Sequence, residues 1–335
     1  IKNSGNHPDS ANWGMDWIGM IPGKRASRRL VGAHYLTQND MVDGNDKAFD
    51  DAVAIGGWSF DDHTSGGFDD SDMAPCNQTK IKEVYNIPLR ALYSGNIQNL
   101  FMAGRNISAS HVAFTSTRVM ATCAVEGQAI GTAAALCASK GIVPQQLYDD
   151  KALLNTFQQQ LLRDDQTIKG MANADPGDLA RSATVQASGE VEGSRAANVI
   201  NGFVRDMNGE WKNRWGGPMT DSGAWLELAW DAPQTLSQVQ LCFDSGFSRQ
   251  LTLTGQFHAR KNQIRGRQPE TVKDYRLLYR DDAGGDWKEI VAVTGNYQRI
   301  RRHTFDPINA AALRIEITAT NGNDEARIYE VRCYA

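Results

Sequence analysis

Two histidines occupy positions from which a proton could be accepted. His63 follows a pair of carboxylates in Asp61-Asp62-His63, and His111 closes the run Ser108-Ala109-Ser110-His111. An unperturbed imidazole titrates near neutrality, so either ring suits general-base work, and an adjacent carboxylate would orient it. A loop histidine bonded to backbone satisfies the same pattern. Arg118 heads an apolar segment. A cation beside a helix N-terminus opposes the helix dipole, so Arg118 needs a partner, either an anionic ligand atom or an ordinary salt bridge. Arg25, Arg28 and Arg29 suit an anionic substrate or a solvated face. Asp61, Asp62, Asp69, Asp70 and Asp72 are dense in oxygen donors but depart from EF-hand spacing, so a solvated acidic loop without a metal is expected. The five cysteines, Cys76, Cys123, Cys137, Cys242 and Cys333, include no CxxC pair, which argues against a zinc ribbon or a thioredoxin-type site. A single Cys242–Cys333 disulfide stays open. Trp211 and Trp215 could stack on a sugar ring or fill a core. Arg265 lies in the basic run Arg260, Lys261, Arg265, Arg267, and a second run holds Arg299, Arg301, Arg302 and His303. Together they could meet a uronic acid or a sulfate, and plain surface loop is the default reading.

These side chains need elements to hold them. The chain has 335 residues, 41% of them hydrophobic and 22% charged, which excludes general disorder and suggests two domains. A formal charge of −4 gives no ground for nucleic-acid binding. Val119 to Ala138 is long enough for a membrane span, but Glu126 and Gln128 interrupt it and Ala, Gly, Thr and Cys dominate it. It reads as a buried helix of a protein without a transmembrane segment. Gly127 and Gly131 would share one face of that helix and let it press against a sheet or a ligand. Leu100–Ala103 reads as a short buried strand stopped by Gly104, and residues 145–163 as one amphipathic helix. Met171–Asp178 carries little hydrophobic weight and marks a boundary, giving domains 1–172 and 180–335. Beyond it, Ala224–Trp230, Ser237–Phe243 and Ala312–Ile317 alternate with period two, which argues an antiparallel β-sandwich.

The segment Val84–Leu136 resembles bacterial FAD-dependent oxidoreductases. The matching residues are Ile87-Pro88-Leu89-Arg90, then Asn99-Leu100-Phe101-Met102-Ala103-Gly104-Arg105-Asn106. They continue through Ser116-Thr117-Arg118-Val119-Met120 and Gly127-Gln128-Ala129-Ile130-Gly131-Thr132-Ala133. Pro22–Gly32 and Ile55–His63 look like upstream blocks of the same family, and the resemblance covers roughly residues 10–165. It implies an α+β or α/β flavoprotein fold in which Ala103, Gly104 and Arg105 approach the cofactor's phosphates or ribityl chain. Ser116, Thr117, Arg118 and Val119 would then bring a helix N-terminus to the flavin. His111 and His63 become the candidates that take a proton during substrate oxidation. The family's opening strand–GxGxxG–helix unit has no counterpart here: Gly14, Gly19 and Gly23 are too widely spaced. The expectation is therefore the C-terminal portion of a longer flavoprotein, a fragment missing the dinucleotide-binding segment as its partner. Alone it would bind FAD weakly or not at all, purify colourless and be inactive.

Residues 180–335 resemble a coagulation-factor type C, or discoidin-like, galactose-binding jelly-roll. The pieces are Ala196-Ala197-Asn198-Val199-Ile200-Asn201-Gly202, Trp215, Trp225-Leu226-Glu227-Leu228, Tyr275-Arg276-Leu277-Leu278-Tyr279 and Ile328-Tyr329-Glu330-Val331. Such domains bind sugars, lipids or proteins through loops at one end, which makes Trp211, Trp215 and Arg265 the carbohydrate candidates. Together the two resemblances imply an FAD-dependent oxidoreductase acting by hydride transfer on a small organic or carbohydrate-like substrate, with an appended carbohydrate-binding module. The alternative is a non-catalytic glycan-binding surface protein. Either reading suggests a secreted, periplasmic or extracellular location.

Overall fold

The computed structural model describes residues 4–21, 27–43, 49–64, 66–207, 212–251 and 257–335. Arg25 and Trp211 lie outside them. Among the described residues two large hydrophobic cores form, one from Leu36 to Ile168 and one from Ala180 to Cys333, with a small third cluster of Val204, Cys242 and Tyr329.

The first core is built on a small antiparallel pair, β1 (Ala52–Gly56) and β4 (Tyr85–Pro88), with Ile55 opposite Asn86. The buried run Ala52-Val53-Ala54 is short and apolar, as a strand covered by helices must be. Gly56 is required at its end, because a Cβ there would collide with the Tyr85 ring. A second hairpin, β2 (Phe60–Asp62) with β3 (Asn77–Thr79), stands beside it. Four helices follow: α1 (His111–Thr117), α2 (Met120–Lys140), α3 (Pro144–Asp149) and α4 (Lys151–Arg163). The 145–163 stretch is thus two helices. Asp150 separates them because its carboxylate caps α4, accepting from Ala152 N at 3.1 Å and Leu153 N at 3.0 Å. Leu100–Ala103 is not a strand: a single bridge, Phe101 to Tyr93, and two flanking backbone bonds tie it to Leu92–Ser94. Helix α2 buries Thr122, Glu126, Ala129, Ile130, Ala133 and Cys137 against the sheet. Gly127 and Gly131 are on its opposite face, exposed, with open space above both. Among the described residues no single helix is long and apolar enough to cross a membrane, and α1 and α2 meet at 91°.

The second core lies inside an antiparallel sheet that folds over on itself. Its strands are β5 (Thr184–Ala187), β6 (Trp215–Pro218), β7 (Ala224–Phe243), β8 (Val272–Arg280), β9 (Lys288–Val293), β10 (Ile300–Thr320) and β11 (Glu325–Tyr334). Among the described residues its one α-helix, α5 (Phe257–Asn262), is short and exposed. The two alternating segments Ala224–Trp230 and Ser237–Phe243 are one strand, β7. It pairs with β5 through its first half, β11 through its second, and β10 through both. Register breaks in β10 between Thr304 and Ile308 and between Ala310 and Ala312 let the pair bend from one layer into the other. Phe243 and Tyr275 then meet across the core with ring centroids 5.3 Å apart. All five cysteines are free. Cys242 pairs with Glu330 and Cys333 with Val239, so the two cysteines sit three rungs apart on opposite faces and cannot bridge.

The second basic run, Arg299 just before β10 and Arg301, Arg302 and His303 within it, serves structure. Arg299 is clamped on Asp165, Nε to Oδ2 at 2.7 Å, and Arg302 reaches Asp164 at 2.6 Å. His303 accepts or donates at Tyr275 Oη, 2.8 Å away, and burial pushes its imidazole down to about 4. Arg332, on β11, bonds Glu330 at 2.6 Å and the carbonyl of Leu162 at 3.1 Å. These arginines fasten the β-sheet domain to the end of α4.

Candidate functional site

The site begins where α1 ends and α2 begins. Ser110 caps α1, its hydroxyl accepting from Ala113 N at 3.1 Å. The chain turns at Arg118, and α2 starts at Met120 behind Val119, which offers no side-chain cap. The helix expected near Ser116 is therefore two helices with Arg118 at the corner. The first N–H groups of α2 lack a capping side chain and carry its positive dipole end. Met120 beside them is 89% exposed.

A cleft of about 900 Å³ opens at this corner, lined by Gly104, Arg105, Arg118, Val119 and Met120 with Trp58, Asp61, Cys123 and Ala124. Four expected cofactor residues, Gly104, Arg105, Arg118 and Val119, thus converge. Ala103 is half-buried just behind them. Ser116 and Thr117 are buried at the end of α1 instead. The Ser116 hydroxyl lies 2.7 Å from Tyr85 Oη and 2.5 Å from the Trp58 carbonyl, so it braces the fold. Gly104 has φ +95°, a left-handed conformation, and the space above it is open. Its N–H, which the Ala-Gly reading leaves for a phosphate or ribityl oxygen, is taken by Glu126 Oε2 at 2.7 Å. Glu126 is fully buried and its Oε1 has no partner. Burial raises its carboxyl to about 8 against the opposing pull of the Gly104 N–H, so it is neutral at pH 7. Burial likewise pushes the Cys123 thiol up to about 11, which leaves it protonated.

Arg118 has found its partner within the chain. One guanidinium nitrogen donates to the Asp61 carbonyl at 2.9 Å and to Asp61 Oδ2 at 3.1 Å, and the group lies 5.6 Å from the Phe114 ring centre. Asp61 and Arg118 also line a smaller cavity of about 150 Å³ with Asp62, His63, His111, Phe114 and Thr115. Both candidate bases meet there, and each has a carboxylate. His111, the first residue of α1, places Nε2 3.2 Å from Asp62 Oδ1. His63 places Nε2 3.4 Å from Asp61 Oδ2 and Nδ1 3.2 Å from the Pro75 carbonyl. Of the acidic loop, Asp61 and Asp62 are therefore engaged, while Asp69, Asp70 and Asp72 are exposed. Trp58, Glu126 and Cys123 were not singled out from the sequence as site residues, and Asp61 entered only as a carboxylate that could orient His63. Of the other three, Glu126 leaves a signal, a lone carboxylate in an apolar helix.

Residues 6–161 match the family model of FAD dependent oxidoreductases, residues 178–254 a domain of unknown function, and residues 248–331 the F5/8 type C domain. The chain joins an FAD-oxidoreductase segment to a discoidin-like domain. The helical, cleft-bearing part belongs to the first and the antiparallel sheet to the second. Solved structures similar to the sheet domain include chitosan-binding module 1 of a Paenibacillus sp. IK-5 chitosanase/glucanase, 18% identical over 47% of this chain and 98% of that one, with a TM-score of 0.35. The family 32 carbohydrate-binding module of Streptococcus pneumoniae EndoD is 23% identical over 47% and 98%, with a TM-score of 0.36. That of C. perfringens NanJ, in complex with galactose, is 16% identical over 47% and 96%, with a TM-score of 0.34. No curated protein sequence matches the chain.

The residues present fit one end of FAD. Open space over Gly104, the Arg105 cation, the uncapped start of α2 and the Trp58 ring suit the isoalloxazine and its ribityl chain. Among the described residues all pairs of named strands are antiparallel, the one parallel contact is the isolated bridge Leu36–Ala109, and no βαβ unit stands ready for the adenosine end. In the discoidin-like domain, Trp215 is fully buried and its indole N–H donates to the Gly189 carbonyl at 3.0 Å, so it fills the core and offers no face to a sugar. Arg265 is exposed. The described residues place no aromatic ring with it.

Proposed function

We propose that residues 1–172 form the flavin-facing, substrate-side half of an FAD-dependent oxidoreductase, and that residues 180–335 bind glycan. The observation that carries this is the sharing of Asp61 and Arg118 by two adjoining cavities, one flanked by the α2 N-terminus and the other by both histidines. FAD bound in the larger cleft would supply the two-electron acceptor for a hydride. Gly104 would let it approach closely, and Arg105 and the start of α2 would favour the negative charge it gains. A small hydroxyl-bearing substrate, organic or carbohydrate-like, would enter by the smaller cavity. His111 would take its hydroxyl proton, and Asp62 would steady the imidazolium that results. Arg118, fixed by Asp61, would hold the substrate oxygen. The oxidoreductase assembled with its dinucleotide-binding segment and loaded with FAD tests this: His111→Gln should lower kcat by about 10²–10⁴-fold with flavin content unchanged. Unchanged kcat would remove His111 from the reaction.

For the second domain the exposed Tyr297, with the Arg267 guanidinium 5.9 Å from its ring centre, is the platform we assign to a sugar or uronic acid. A glycan array should give hits that Tyr297→Ala removes, and an array without hits would exclude glycan binding. A periplasmic or extracellular setting suits both halves.

A further inference from the structure

The β2–β3 hairpin carries three different metal-ligating groups at one point. Asp61 on β2, His63 just after it and Cys76 just before β3 each direct one donor atom into a cluster whose atoms all lie within 4.8 Å of one another. The sequence reading placed no metal here, because Cys76 has no cysteine neighbour and the acidic run has the wrong spacing. The hairpin makes the juxtaposition: Asp61 sits opposite Gln78 and Asp62 opposite Asn77, which brings the segment before Asn77 back beside His63.

Each group is also oriented. The Cys76 thiol points at Asp61 Oδ1, 2.5 Å away. The other carboxylate oxygen faces His63 Nε2 at 3.4 Å and Arg118 at 3.1 Å, so Asp61 divides its two oxygens. His63 lies with Nδ1 3.2 Å from the Pro75 carbonyl. The Pro75 carbonyl can accept from Nδ1–H while Nε2 faces the cluster, the outer-shell arrangement that metal-bound histidines use. One thiolate, one imidazole and one carboxylate make a mixed set suited to a borderline-soft divalent cation of tetrahedral habit.

We infer that Asp61, His63 and Cys76 form a zinc-class cation site, with a fourth position open to the cavity that His111 lines. Binding forms one bond from each of Oδ1, Nε2 and Sγ and releases the thiol proton to solvent. This goes beyond the oxidoreductase reading and stands without it, since neither flavin nor substrate is a ligand. Where the metal is bound, His63 is unavailable as a base, which leaves that role to His111.

Cobalt(II) alone, added to the purified full chain under reducing conditions, tests the site. One equivalent should produce a thiolate-to-cobalt charge-transfer band and visible d–d bands of tetrahedral intensity, and zinc should abolish both. Cys76→Ser should remove the charge-transfer band, and His63→Gln should weaken binding by at least about 10-fold, the loss that removing even an outer-shell partner causes. Cys123→Ser, which alters the cleft thiol and not the cluster, should leave the spectrum unchanged. Circular dichroism of each variant confirms folding. No charge-transfer band, or one that survives Cys76→Ser in a folded protein, overturns the inference. Failure of flavin to bind would leave this result untouched.

Discussion

Glu126 shows how a single side chain couples the cleft to the fold. In the unfolded chain its carboxyl titrates near 4.5, and in the folded protein near 8. Between those values the folded state holds a proton that the unfolded state has released, so stability falls as pH rises through that window and levels above it. The slope is at most about 1.4 kcal/mol per pH unit. Glu126→Gln, which cannot titrate, should flatten it: melting temperatures of the two proteins should agree near pH 4.5 and diverge in favour of the variant by pH 8. Parallel curves would show that Glu126 does not titrate in this window. Gly104 makes a second test. A Cβ there meets nothing closer than Asn106 Oδ1 at 3.9 Å, so Gly104→Ala costs only the backbone strain of φ +95°, about 1–2 kcal/mol by denaturant unfolding. A much larger loss would mean that the space over Gly104 is filled.

At the scale of elements, legibility followed the strength of the local pattern. Helix α2 was readable because its apolar run is long, and the strand segments of β7 and β10 because their alternation is strict. The length of β7 and β10 was not, since bending through both layers depends on register breaks that composition does not mark. The division of α3 from α4 turns on one capping side chain inside a continuous apolar period. Asp150→Ala should therefore cost about 1 kcal/mol, read as a lower denaturation midpoint, and no change would assign the break to packing. The cleft residues were legible through the Ala103–Val119 motif. Their roles were less so, because a motif does not say which hydroxyl is buried or which N–H is spent. Ser116 and Thr117 carried the family pattern yet lie inside, and Trp215 looked like a sugar platform yet packs against the core. A carboxylate partner for His63 was legible in Asp61-Asp62-His63, whereas the contact of His111 with Asp62 needed the hairpin to fold before it could be seen.

The whole molecule is held together at the end of α4. Arg299, Arg302 and Arg332 reach Asp165, Asp164 and the Leu162 carbonyl, and Asp165 takes a left-handed φ of 68° to meet the first of them. Arg299→Ala removes the partner of a half-buried Asp165, a loss of about 1–3 kcal/mol. Calorimetry should then resolve two transitions where the parent chain shows one, and an unsplit, unshifted transition would show that this clamp does not couple the parts. On the proposed reading the cleft receives the redox ring of a flavin and not its adenosine end. Equilibrium dialysis of the purified chain against riboflavin and, separately, ADP tests that directly. The account predicts measurable riboflavin binding that Gly104→Val abolishes and no saturable ADP binding, whereas ADP binding without riboflavin binding would contradict it.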